Sequence, residues 1–164
     1  MITKHTTRAL ELPALDAGDA YRADLVFYGV DHSGPSYEAR VYLNNPGADE
    51  NTARDPDLGY AGSYTVFGHN GCYGDQGHCA PENMYRDEFD QRLPHPIIPW
   101  TKAVIATDAI NRAIENTDVV DVTVTVVAVV PSDTVAETTT EPHPFASVRL
   151  LTYQEDGPTT TSDD

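Results

Sequence analysis

Residues 119–130 read V-V-D-V-T-V-T-V-V-A-V-V. The first half alternates, with Asp121, Thr123 and Thr125 between valines, and the second half is continuously apolar. Alternation with period two is the mark of a strand with one face buried, and an unbroken apolar run of β-branched residues marks a strand covered on both faces. A strand of this kind needs partners, and the remaining sequence supplies them.

Tyr21, Ala23, Leu25 and Phe27 share one face of a strand over residues 20–28, with Arg22 and Asp24 opposite. The stretch Y-E-A-R-V-Y-L-N at 37–44 alternates again, after a turn at D-H-S-G-P (31–35). G-S-Y-T-V-F-G at 62–68 is rich in aromatic and β-branched residues, and short strands are expected at 101–106 and 146–153. One helix is expected, capped by Thr107 or Asp108 and running to Asn116, with Ala109, Ile110, Ala113 and Ile114 on one stripe. Residues 46–59 form a polar loop with two prolines, expected to be exposed and mobile, and four prolines between 80 and 100 keep that segment extended or irregular.

The class is mainly β: an antiparallel β-sandwich with one short helix and long irregular loops. Leu25, Phe27, Val41, Leu43, Val66, Val124, Val126 and Leu150 are the expected core. Its organisation is an N-terminal extension at 1–19, the sandwich at 20–153 and a disordered acidic tail at 154–164.

With 26 acidic against 10 basic residues the formal charge is −16, which repels a phosphate backbone and argues against nucleic-acid binding. Lys4 and Lys102 are the only lysines, Asp outnumbers Glu, and Thr and Val abound. This is the halophilic pattern, in which salt screens an excess of surface carboxylates, and an acidic protein of a GC-rich mesophile shares it. No apolar run is long enough for a membrane span, and the N-terminus has no apolar signal-peptide core. The expected location is cytoplasmic, or outside the cell only in company with a partner.

Chemistry concentrates at residues 68–79, G-H-N-G-C-Y-G-D-Q-G-H-C. Four glycines allow tight turns that bring His69, Cys72, His78 and Cys79 together. Three readings stand: a soft-metal site for copper or zinc, a Cys72–Cys79 disulfide, and a Gly-rich connection with merely buried thiols. The spacing H-x2-C-x5-H-C matches no standard zinc pattern. Asp31-His32-Ser33 has the residue types of a triad, but turn chemistry with side-chain to backbone bonding accounts for all three. His95, Ile97, Ile98 and Trp100, in P-H-P-I-I-P-W, form a candidate partner-binding surface; for Trp100 a core anchor is the other reading.

Taken in order, R-V-Y-L-N-N-P (40–46), Y-A-G-S-Y-T-V-F-G (60–68), a short helix and V-T-V-T-V-V-A-V-V-P (122–131) resemble the β-sandwich domain that follows the copper domain of tyrosinases, plant polyphenol oxidases and molluscan haemocyanins. The resemblance covers residues 21–131, with A-G-S-Y at 61–64 and V-V-A-V at 126–129 matching best. Type 3 copper oxidases hold two coppers with six histidines on a helical bundle. Here His5, His32, His69, His78, His95 and His143 include no H-x-x-x-H pair. The resemblance therefore implies a chain that is not catalytic alone, an accessory subunit of a tyrosinase-like copper-domain protein that shields its active-site entrance and assists copper loading. The alternative is a stand-alone soft-metal protein that binds Cu(I) or zinc through the 68–79 loop.

Overall fold

The computed structural model describes residues 2–12, 22–69, 89, 98–115, 121–131, 145–154 and 157–160. Among the described residues, ten strands and one helix are arranged as β1 (Ile2–Thr6), β2 (Leu10–Glu11), β3 (Arg22–Val30), β4 (Tyr37–Leu43), β5 (Tyr60–Val66), β6 (Trp100–Ile105), α1 (Thr107–Glu115), β7 (Asp121–Val122), β8 (Val124–Val129), β9 (Ser147–Gln154) and β10 (Gly157–Thr160). One sheet has the order β1-β8-β4-β5, the other β10-β9-β3-β6, and β2 pairs with β7 as a small ribbon. Every pairing is antiparallel. This is the sandwich expected from the alternation of the strands.

The two inner faces meet in one core. Val41 and Leu43 of β4, Val66 of β5 and Val124 and Val126 of β8 face Leu25 and Phe27 of β3, Val104 of β6 and Leu150 of β9. All eight residues expected in the core are buried. Phe27 packs its ring against Tyr64 and Phe145, with centroids 5.0 and 5.1 Å away. Burial pushes the hydroxyls of Tyr37 and Tyr64 well above the ordinary tyrosine range; for Tyr37 the nearby charge of Asp31 adds to this, and for Tyr64 the Tyr37 hydroxyl.

The apolar run of β8 is explained by a cover on its second face. Val127 packs with Tyr42 and Ala48 in a separate small cluster on the outside of the sheet. The cover is the 45–59 connection, expected to be mobile but in fact tied down. Tyr42 donates its hydroxyl to the Thr52 carbonyl (2.9 Å), Arg40 donates to the Glu50 carbonyl (2.8 Å), and Asn45 donates to the Leu58 carbonyl (2.9 Å). Within it, the Thr52 hydroxyl and the Asn51 amide hold the Asp49 carboxyl below its usual range. A single 3-10 turn at Pro56–Leu58, capped by Asp55, closes the segment.

The N-terminal residues are not all an extension. Ile2–Thr6 lies along β8 from Ile2↔Val129 to Thr6↔Thr125, so it is an edge strand of the sandwich. At the other terminus Gly157–Thr160 pairs back on β9, where the sequence was read as a disordered tail. Polar strands of this kind are hard to see because edge pairing needs backbone groups and asks little of side chains. The helix is described over Thr107–Glu115, within a residue of the expected start, and has the expected stripe, with Ala109 and Ile110 buried and Ala113 and Ile114 packed against the core. Asn116, its expected end, lies outside the described residues. The Thr107 hydroxyl accepts a bond from the Ala23 amide, fastening the helix start to β3.

Candidate functional site

At the end of the sandwich away from α1, three segments converge. β3 carries a bulge between Phe27 and Val30, where Gly29 adopts φ +67°. The chain then turns at 31–36, where the Asp31 carboxylate accepts bonds from the Ser33 amide (2.8 Å) and hydroxyl (3.1 Å). Against this turn lies the strand end at 66–69. A Cβ on Gly68 would collide with the Gly34 carbonyl and with Pro35, so only glycine lets these backbones come so close. The approach is held by the Gly68 amide donating to the Ser36 hydroxyl (3.0 Å) and the His69 amide donating to the His32 carbonyl (2.8 Å).

The third segment is the start of β6. His32 is 4% exposed, its ring stacked on Trp100 with centroids 4.0 Å apart at 17°. Its Nε2 donates to the Ile98 carbonyl at 2.8 Å, while Nδ1 is buried with no hydrogen-bond partner. The His69 ring lies 5.1 Å from it at 59°. Lys102 places its ammonium 4.6 Å from the Trp100 centroid. Beside this cluster Phe67 is 78% and Ile98 65% exposed, with Trp100 partly exposed at 36%.

Of the expected site residues, His69, Ile98 and Trp100 are therefore neighbours. Cys72, His78, Cys79, His95 and Ile97 lie outside the described residues, so the four-donor convergence and the full partner surface are not described. Trp100 is neither a buried anchor nor a free ring: it covers His32 with one face. His32 departs from the turn bonding expected of its side chain. Asp31 and Ser33 do make the turn, whereas His32 bonds to a carbonyl 66 residues along the chain. No local signal could have revealed it, because its partners arrive through tertiary pairing of β3 with β6.

Among the described residues no group of three or more His, Cys, Asp or Glu could hold a metal ion. Two concave surfaces among the described residues lie elsewhere, beside α1. A cleft of about 440 Å³ is lined by Leu43, Pro56, Asp57, Leu58 and Arg112 among others, and a second of about 400 Å³ by Tyr60, Ile105, Asp108 and Arg112. Neither has a nucleophile paired with a base, the minimum for covalent or acid–base chemistry. No helix among the described residues is long and apolar enough to cross a membrane.

No protein-family model matches the chain. No curated protein matches it either. Among solved structures it is similar to latent aurone synthase, a polyphenol oxidase, from its natural source (TM-score 0.52, 17% identity, 98% of this chain and 25% of that one). The recombinant latent aurone synthase co-crystallised with hexatungstotellurate(VI) and soaked in H2O2 matches with TM-score 0.51 and 16% identity, over 98% of this chain and 25% of that one. The chain thus spans about a quarter of the length of the solved chains it matches, and over that quarter it has the fold of a piece of latent polyphenol oxidase.

Proposed function

We propose that the protein is a non-catalytic accessory β-sandwich that docks on a tyrosinase-like copper oxidase and covers the entrance to its active site. The observation that carries this reading is the likeness of nearly the whole chain to a quarter-length piece of a latent polyphenol oxidase. The exposed Phe67, Ile98 and Trp100 support it, since aromatic and aliphatic side chains grouped at one end of a sandwich are the kind of anchor an interface buries. Assistance with copper loading is the finer part of the proposal. It draws on the imidazoles of His32 and His69 beside that apolar end.

The test uses the full chain and a separately expressed six-histidine copper domain of tyrosinase type. Mixing the two should suppress catechol turnover by the copper domain, and Phe67→Ser together with Trp100→Ala should release that suppression. The copper-saturated chain alone should turn over no catechol. Turnover by the chain alone, abolished by changing its own histidines, would overturn the reading, as would equal turnover with and without the chain.

A further inference from the structure

The geometry points to a two-imidazole cation site formed by His32 and His69, for a divalent first-row metal, Zn(II) or Cu(II). Three observations converge on it. First, a carbonyl oxygen only accepts, so the His32 bond to Ile98 places a proton on Nε2 and leaves the lone pair of the neutral ring on Nδ1. That lone pair is buried and unpartnered. A ring nitrogen left in this state wants a donor or a cation, because buried acceptors are nearly always satisfied.

Second, the arrangement around His32 is the one metal-ligating histidines adopt. One nitrogen donates to a backbone carbonyl, which fixes the tautomer and orientation and leaves the other for the metal. Trp100, stacked on the same ring, further restricts its rotation.

Third, the spacing suits a bent pair of ligands. With metal–nitrogen bonds of about 2.1 Å, two imidazoles on one tetrahedral cation have centroids about 5.2 Å apart, and on a linear one about 6.4 Å apart. The rings of His32 and His69 are 5.1 Å apart. This favours Zn(II), or Cu(II) with a similar angle, over Cu(I) held linearly between two nitrogens. The bond from the His69 amide to the His32 carbonyl sets this spacing by fastening the two backbones together. The site deepens the copper-loading part of the proposed function and is independent of the docking part: it belongs to this chain alone, so failure of docking leaves it untouched.

Trp100 is the single tryptophan and lies against His32, so it reports on the site directly. The chelator-treated full chain is titrated with copper(II) sulfate alone, and with zinc chloride by calorimetry, in salt high enough to screen the −16 surface. Copper should quench Trp100 fluorescence with a break near one equivalent, and zinc should compete. His69→Gln, a change at a partly exposed ring, should weaken both at least about tenfold, since loss of even an outer-shell partner of a ligand costs that much. His32→Gln should do the same, with circular dichroism checking that it folds. Cys72→Ser with Cys79→Ser should leave the dependence on His32 and His69 in place. Quenching and affinity unchanged in His69→Gln would overturn the site. So would binding that vanishes with the cysteines while ignoring both histidines.

Discussion

Gly68 joins two backbones. Its amide donates to the Ser36 hydroxyl, and any Cβ would meet the Gly34 carbonyl and Pro35. The obstacle is backbone, which cannot swing aside as a long side chain would. Gly68→Ala should therefore destabilise the fold by about 1–3 kcal/mol, the range for forcing an extra methyl into a packed contact. The same change should push the His69 amide away from the His32 carbonyl, 2.8 Å distant in the native chain. Denaturant unfolding measures the first effect, and faster exchange of the His69 amide the second. Unchanged stability and exchange would show that the 31–36 turn gives way freely.

At the scale of elements, β8 is central, paired with β1 on one side and β4 on the other. Val126 is fully buried between the sheets, in a core cluster that holds no lysine or arginine to meet a carboxylate. Val126→Asp should leave no folded population, since burying an unpaired charge exceeds the marginal stability of a domain this size. A native circular-dichroism spectrum from that variant would contradict the packing described. The outer face of β8 is guarded differently, by the 45–59 connection. Tyr42→Phe removes the bond to the Thr52 carbonyl while keeping the ring over Val127. Its expected cost is about 0.5–1.5 kcal/mol, with increased protease cleavage between residues 49 and 55. Cleavage equal to that of the native chain would mean that the remaining contacts hold the cover alone.

For the whole molecule, two groups of charges set the response to solvent. Tyr37 and Tyr64 are buried and keep their protons in the folded state well above pH 10.0, the ordinary tyrosine value, where the unfolded chain releases them. Above that pH the unfolded state holds fewer protons, so stability is complete below about pH 10 and falls above it, by up to about 1.4 kcal/mol per pH unit for each ring. Tyrosinate absorbance should show these two rings ionising together with unfolding; titration of all the tyrosines before unfolding would refute it. The formal charge of −16 acts over the surface. Raising salt from about 0.1 M to about 1 M shortens the screening length from about 10 Å to about 3 Å. The melting temperature should rise by at least about 4 °C as repulsion among carboxylates is relieved. A flat or falling melting temperature would remove the case for a halophilic surface.

The strands and the helix were legible because their signals are local and periodic. The alternation of 20–28 and 37–44, the apolar run at 126–130 and the Ala109-Ile110 stripe each express burial of one face within a few residues, and the core residues read from them are all buried. The resemblance through A-G-S-Y and V-V-A-V likewise rested on strand sequences, and the fold agrees with it. Three features required the tertiary structure. The edge strand Ile2–Thr6 is defined by backbone bonds to β8, which carry no pattern in side-chain type. The cover over Val127 comes from a polar loop whose anchors, Tyr42 and Arg40, are on another element. His32 became a candidate ligand only when pairing of β3 with β6 brought Ile98 and Trp100 to it, and when Gly68 let His69 approach. Sequence alone determined the apolar core, because hydrophobic burial is read from composition and period, but it did not show that Asp24 and Thr125 on the other faces of their strands are buried too. Only the tertiary structure decided which polar groups meet, because a hydrogen bond or a ligand pair depends on two positions that the chain keeps far apart.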